Sequence, residues 1–131
     1  MKERFFHIEF FKTKDDYIAI EYNNRPAGAF AVDVYNFAHS TDYFRVYAEV
    51  ANGTFNGLNV DEKYGLASTR RDYKDYVYSD EEIREKYQDK LKAVLRMPEA
   101  FAELQGNTMY VLVADTLEEM KEMERFVGKL K

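Results

Sequence analysis

The chain has 131 residues, of which 46% are hydrophobic and 16% aromatic, and its formal net charge is −5. This length fits one domain with one core, and so many apolar residues exclude low-hydrophobicity disorder. The acidic balance argues against a general nucleic-acid or anionic-membrane surface, because phosphates select clustered Lys and Arg. Only Arg70-Arg71 stands out as a local basic spot.

Targeting signals and cysteine are both absent from the sequence. Without cysteine, disulfides, thiolate metal sites and thiol catalysis are excluded. The sequence contains neither a signal-peptide core nor an apolar stretch of about 18 residues. We therefore predict a cytoplasmic protein with neither a membrane nor a nucleic-acid partner.

Two segments near the start of the chain, 4–12 and 17–23, are rich in aromatic and β-branched residues. Thr13-Lys14-Asp15-Asp16 lies between them. This arrangement predicts a β-hairpin. Because side chains alternate between the faces of a strand, Glu21 and Asn23 share one face. A loop with an odd number of residues would place Glu9 directly across from Glu21, whereas a two-residue loop would put them on opposite faces.

Turn residues at 24–28, including a proline and a glycine, follow the hairpin. Helical spacing of apolar residues then predicts helices at 30–40 and 42–51. Thr41 or Asp42 is the expected N-cap of the second helix.

In the second half of the sequence, the pattern of apolar residues predicts short strands at 64–69 and 76–78 and a central strand at 108–114. Capping boxes predict two helices, one opened by Ser79 and Glu82 and the other by Thr116 and Glu119. The apolar face expected for the first of these helices consists of Ile83, Tyr87, Leu91 and Val94. The inward face expected for the second consists of Leu117, Met120, Met123, Val127 and Leu130. A further turn of helix is expected to start at Pro98.

These elements predict an α+β fold, an antiparallel sheet with packed helices, because strands and helices do not alternate as in a parallel sheet. The sequence shows no internal repeat, low-complexity segment or linker. We therefore expect a single domain over residues 1–131.

Candidate chemistry concentrates on the hairpin. Glu9, Glu21 and Asn23 offer the hard oxygen ligands that Mg²⁺ takes, with waters and nucleotide phosphates completing its octahedron. The alternative is a pair of solvated glutamates on an exposed strand face, as antiparallel sheets often have one polar face. Arg25 could clamp a phosphate or carboxylate, or be an ordinary surface arginine. His7 could support Glu9 or be a structural histidine.

The segment from His7 to Gly28 resembles the C-terminal part of the ATP-grasp fold, especially its carboxylate-amine ligase and biotin-carboxylase-like branches. In that family an acidic residue on one strand, a Glu-x-Asn on the next and an Arg two residues further hold the magnesium ions and the reacting phosphate. Here Glu21, Asn23 and Arg25 follow Glu9 by 12, 14 and 16 residues. The resemblance weakens through 28–50, and the tail from Tyr64 onward is similar to the family's small C-terminal subdomain.

The resemblance implies a division of the chain into a metal-site hairpin with its following helices (4–60) and a small C-terminal subdomain (61–131). It also implies a ligase reaction in which ATP phosphorylates a carboxylate substrate and an amine or thiol attacks the acyl phosphate. Glu9, Glu21 and Asn23 would bridge Mg²⁺ (or Mn²⁺) to the ATP phosphates, and Arg25 would steady the acyl phosphate or the substrate carboxylate.

The family's upstream parts, a substrate domain and the subdomain that grips adenine, have no counterpart in these 131 residues. We therefore expect little or no ligase activity from the chain alone, whether it is an expressed fragment, a truncated gene product or one half of a split enzyme. We also expect exposed apolar surface on the strand from Phe5 to Phe11, and hence a homo-oligomer or a partner chain. The alternative function is a non-catalytic interaction or regulatory domain derived from such an enzyme. A metal-dependent phosphohydrolase is a distant third, because the sequence offers it no base or nucleophile.

Overall fold

The computed structural model describes residues 4–131. Within them lie five strands and five helices. The strands are β1 (His7–Lys12), β2 (Tyr17–Asn23), β3 (Tyr64–Arg70), β4 (Leu91–Arg96) and β5 (Thr108–Ala114). The helices are α1 (Ala31–His39), α2 (Tyr43–Asn52), α3 (Asp80–Lys86), α4 (Glu99–Gln105) and α5 (Leu117–Gly128).

The strands form two antiparallel sheets. β1 and β2 make the N-terminal hairpin, and the other three make a sheet in the order β3-β5-β4. Both neighbours of β5 run antiparallel to it. The α+β class predicted from the sequence is therefore confirmed.

β5 is the centre of the core. Its residues from Met109 to Ala114 are all buried. One cluster joins Tyr110 and Leu112 to α3 and α5 through Ile83, Met123 and Val127. A second cluster joins Val111 and Met109 to Met97, with Phe30 and Val34 packed against them. Because β5 is covered on both faces, its sequence reads as a continuous apolar run.

α1 crosses β3 at very short range. A Cβ atom added to Gly65 would stand 2.5 Å from Val34 Cγ1 and 3.3 Å from Ala38 Cβ. Only the absence of a side chain at Gly65 lets the helix lie this close to the strand. This contact ties the N-terminal half of the chain to the three-stranded sheet.

Most predicted elements are confirmed within one to three residues. The predicted hairpin strands, both N-terminal helices, the central strand and the turn of helix after Pro98 are all present. Asp42 is the N-cap of α2, and its side chain accepts hydrogen bonds from the backbone N–H groups of Phe44 and Arg45. At α3 the capping box of Ser79 and Glu82 is complete.

The cap of α5 differs from the prediction in one bond. Thr116 Oγ1 accepts from the Glu119 N–H, as a capping box requires. The Glu119 carboxylate, however, accepts from the N–H of Asp115 instead of returning to Thr116. Leu130 was expected on the inward face of this helix but lies beyond its end and is half exposed.

Two predictions in the second half are wrong. The helix opened by Ser79 ends at Lys86, and the residues that continue its spacing, Leu91 and Val94, belong to strand β4. Their spacing fits a helix, but β4 completes the hydrogen bonding of β5, and this tertiary pairing decides the outcome. The predicted strand 76–78 is a single bridge between Tyr76 and Leu130. No helix within 4–131 is long and apolar enough to cross a membrane.

Replacing Gly65 with alanine should destabilise the protein by about 1–3 kcal/mol, because the added methyl group overlaps Val34. The measurement is the urea dependence of unfolding. Gly128→Ala is the matched control, since a Cβ at Gly128 meets open space and alanine favours the helix that it ends. Equal stability of Gly65→Ala and the wild type would contradict the close approach.

Candidate functional site

The hairpin turn is closed by Thr13 and Asp16. Thr13 Oγ1 donates to the Asp16 carbonyl and accepts from the Asp16 N–H, each at 2.9 Å. The Thr13 N–H donates to the same carbonyl at 2.9 Å. These bonds fix a four-residue loop between Lys12 and Tyr17, which pair across it.

A β-bulge aligns the two glutamates. If the pairing simply continued from the four-residue loop, Glu9 would stand opposite Ile20. Glu9 and Glu21 would then not be cross-strand partners. The pairing shifts between Glu9 and Phe10, so that Ile20 is the extra residue and Glu9 pairs directly with Glu21. The alternation of side chains predicts this alignment for an odd-numbered loop, whereas the hairpin reaches it with a four-residue loop and a bulge.

Four polar side chains therefore stand together on the hairpin. His7 pairs with Asn23 in the register next to Glu9 and Glu21. Asn23 Nδ2 donates to Glu21 Oε1, and His7 Nε2 lies 3.8 Å from Glu9 Oε1. Because Nδ2 is used by Glu21, Oδ1 is the atom with which Asn23 can face a cation.

His7 supports Glu9 from its own strand. Its Nδ1 atom is buried without a hydrogen-bond partner among residues 4–131. The imidazole of His7 also stands at the edge of an open cavity of about 520 Å³ between the hairpin and α1, which Tyr35 and His39 line from the helix side. The structure thus places His7 beside the acidic pair.

Arg25 follows Asn23 by two residues in the turn after β2 and does not join the group. Its Nη1 donates to the Pro26 carbonyl at 3.0 Å, and the side chain is exposed. In the described part of the chain it forms no ion pair with Glu9 or Glu21. The predicted residues Glu9, Glu21 and Asn23 are brought together, and Arg25 remains free to meet an anion.

The donor set suits a hard cation only in part. Across residues 4–131, no three His, Asp or Glu side chains are grouped so as to hold a metal ion by themselves. Two opposed carboxylates and one amide oxygen match the way proteins hold Mg²⁺, which keeps several waters or phosphate oxygens. A cation held by these residues would therefore need several further ligands from water or from a bound molecule.

The basic spot Arg70-Arg71 is used by the fold. Arg70 is buried, donates through Nε to the Val127 carbonyl and through Nη1 to the Tyr78 carbonyl, both at 2.8 Å, and lies over the Tyr76 ring. Arg71 donates to carbonyls at the C-terminal end of α4. Both guanidinium groups therefore donate to backbone carbonyls, although Arg70 Nη2 is buried without a hydrogen-bond partner among residues 4–131.

Arg70→Met should cost about 2–4 kcal/mol of stability, since two charge-assisted hydrogen bonds are lost and two carbonyls are left without their donor. Arg45→Met is the control, because within residues 4–131 the Arg45 side chain forms an ion pair only with Glu49, on the exposed face of α2. The control should change stability by no more than about 0.5 kcal/mol. Urea unfolding of both variants measures the difference, and equal effects would show that Arg70 is not a core residue.

A second charged cluster joins β4, β5 and α5. Lys90 Nζ lies 2.6 Å from Asp115 and 2.8 Å from Glu119, while Lys63 lies 3.0 Å from Asp115. The hydrogen bond from Lys90 lowers the pKa of both carboxyl groups, with help from Lys63 at Asp115. Nearby, burial and the hydrogen bond to Asp80 raise the pKa of Tyr110 to about 12. The cluster has no free acid or base, and its evident role is structural.

This cluster makes the free energy of unfolding depend on pH in the acidic range. Both carboxyl groups have a pKa below their ordinary values of 3.8 and 4.5, so their contribution is complete above those values and is lost as pH falls through the folded-state values. The urea midpoint of the wild type should fall from about pH 6 to pH 3, and that of Lys90→Met should fall less. The two midpoints should converge at the acidic end. Parallel pH profiles would contradict the assignment.

Comparison with protein-family models, curated proteins and solved structures finds no match for this chain. Sequence reasoning missed the bulge at Ile20, because isoleucine at this position does not indicate a bulge. A glycine or an asparagine at the bulge would have been such a signal.

Proposed function

We propose that this chain is the magnesium- and phosphate-binding part of an ATP-dependent carboxylate-amine or carboxylate-thiol ligase of the ATP-grasp type. One observation carries the proposal: Glu9 and Glu21 stand directly opposite each other on the hairpin, with Asn23 hydrogen-bonded to Glu21. Like charges directly opposite on a sheet are destabilising unless a cation lies between them. Their alignment by a bulge therefore favours a site over a chance surface pair.

In this proposal Glu9, Glu21 and the Oδ1 atom of Asn23 hold Mg²⁺ (or Mn²⁺), which supplies charge neutralisation at the β- and γ-phosphates of ATP. Glu9 is kept in place by His7, and Glu21 by the Asn23 amide. Arg25 is exposed just beyond the end of β2 and would steady the acyl phosphate or the substrate carboxylate with its planar guanidinium. These residues act by positioning and by neutralising charge.

The adenine, carboxylate and amine sites would be supplied by polypeptide outside these residues. Water must be excluded for an acyl phosphate to survive, and most residues of the hairpin are exposed. A second segment that covers the hairpin would provide that exclusion. Isolated chain should accordingly bind metal weakly and show little or no ligase activity.

A non-catalytic interaction domain is the second candidate. The observation that favours it is the exposure of eight large apolar residues on the hairpin and just before it: Phe6, Ile8, Phe10, Phe11, Tyr17, Ile18, Ile20 and Tyr22. Apolar patches of this kind mark surfaces that meet another protein. In this alternative, Glu9, Glu21 and Asn23 would be ordinary polar residues beside an interface.

Mn²⁺ titration by calorimetry separates the two candidates. Wild-type chain should bind Mn²⁺ saturably, and Glu21→Gln should weaken that binding by at least about tenfold, because one of two carboxylate ligands is lost. Glu124→Gln is the matched control, since Glu124 lies exposed on α5, far along the chain from the hairpin. It should bind Mn²⁺ as the wild type does.

The same titration with ATP present tests the phosphate ligands. Tighter Mn²⁺ binding with ATP than without it, lost in Glu21→Gln, supports the ligase proposal. Absence of saturable binding in the wild type, with and without ATP, would overturn it and leave the interaction domain. Equal loss in Glu21→Gln and Glu124→Gln would mean that the binding reflects net charge alone.

A further inference from the structure

The outer edge of β1 is an unpaired strand edge. Within the described part of the chain, β1 pairs only with β2, and its backbone makes no hydrogen bond to any other element. In an antiparallel pair, alternate residues of each strand direct their N–H and C=O groups away from the partner. β1 therefore presents a row of free donors and acceptors, which is a template for another strand.

The two edges of the hairpin are not equivalent. β2 carries the bulge at Ile20, and bulges distort an edge so that it pairs poorly with further strands. β1 runs from His7 to Lys12 with no extra residue of its own. An incoming strand would therefore add to β1.

The sequence of β1 is complementary to itself in one antiparallel register. When two copies pair about a two-fold axis at Ile8, His7 of one copy stands opposite Glu9 of the other, and the reverse pair forms by symmetry. On the other face, Phe6 stands opposite Phe10, and Ile8 opposite Ile8. Every polar side chain then meets a polar one, and every apolar side chain meets an apolar one.

The neighbouring registers lack this complementarity. An axis at His7 sets Glu9 against Phe5, and an axis at Glu9 sets two carboxylates against each other beside Glu21. Only the axis at Ile8 sets the His7 imidazole of each copy against the Glu9 carboxylate of the other. The like-charged Arg4 and Lys12 would meet at the two exposed ends, where solvent screens them.

We propose that two copies of this chain associate through their β1 edges, forming a continuous β2-β1-β1-β2 sheet with Ile8 on the two-fold axis. The pairing covers the free edge and brings together the apolar side chains Phe6, Ile8 and Phe10, which are exposed by 59%, 37% and 50%. Main-chain hydrogen bonds supply affinity, and the His7–Glu9 pairs select the register.

Light scattering measures the association. Wild-type chain should show a concentration-dependent mass that approaches twice 15.5 kDa. Ile8→Lys, which sets two ammonium groups against each other on the axis, should keep the monomer mass at all concentrations. Ile18→Lys is the control, because Ile18 is an exposed isoleucine on β2, and it should retain the dimer. A wild-type chain that stays monomeric up to about 1 mM would overturn the proposal.

Charge exchange tests the register. Glu9→Lys should dissociate the dimer, since the carboxylate that accepts a hydrogen bond from the His7 imidazole of the second copy is lost. The double variant His7→Glu with Glu9→Lys should restore the dimer, because the introduced carboxylate of each copy then faces the introduced ammonium group of the other. Circular dichroism of each variant checks that the fold is kept. Dissociation of the double variant as complete as that of Glu9→Lys would count against the pairing of His7 with Glu9.

Cysteine cross-linking locates the axis. The chain has no native cysteine, so one introduced thiol can react only with its copy. Ile8→Cys should form a disulfide-linked dimer under mild oxidation, because side chains that face each other across the axis have Cβ atoms about 4.5–5.5 Å apart. His7→Cys and Glu9→Cys should cross-link less. Preferred cross-linking at position 18 on β2, or at none of these positions, would exclude a β1–β1 interface.

Discussion

The buried strand β5 is the constraint on which the rest of the fold depends. It donates and accepts backbone hydrogen bonds on both edges, to β3 and β4, and it is covered on both faces. Each neighbour is positioned by that strand: α3 and α5 cover one face, and Met97 with Phe30 and Val34 covers the other. Apolar burial at about 25 cal/mol per Å² makes this strand the main source of stability.

The hairpin is connected to the rest of the chain through the turn that leads into α1 and through Phe5, whose ring centroid lies 5.4 Å from that of Tyr47 on α2. α1 packs on β3 through the space left by Gly65, and α1 in turn follows the turn that leaves β2. The hairpin itself keeps large apolar side chains exposed on both of its strands. Stability and candidate chemistry therefore reside in different parts of the molecule, so substitutions at Glu21 should change ligand binding while leaving the core intact.

The pairing of charged side chains differs between the hairpin and the C-terminal part of the chain. In the C-terminal part, carboxylates and ammonium groups are paired at short range, as Lys90 is with Asp115 and Glu119. Even the buried Arg70 finds two carbonyl partners. On the hairpin, two carboxylates of the same sign face each other, and only His7 and Asn23 lie beside them. Two like charges in this position repel each other. A cation or a second chain that binds beside them would offset that repulsion.

The candidate site was predicted from sequence to the level of residues but not of geometry. Glu9, Glu21 and Asn23 were identifiable because strand alternation and the spacing of polar residues are local properties. The bulge at Ile20 could not be identified from the sequence, because it depends on the register in which the two strands pair beyond the four-residue loop.

For the fold, the sequence by itself determined the elements whose signals are local. Caps at Asp42, Ser79 and Thr116 set helix starts through side-chain hydrogen bonds to nearby N–H groups, and the apolar run at 108–114 specified a strand buried on both faces. Tertiary structure alone decided that Leu91 and Val94 join a strand, because their spacing fits a helix equally well and only pairing with β5 distinguishes the two. It also decided that Arg70 is buried, since its partners, the carbonyls of Tyr78 and Val127, are brought to it only by the folded chain.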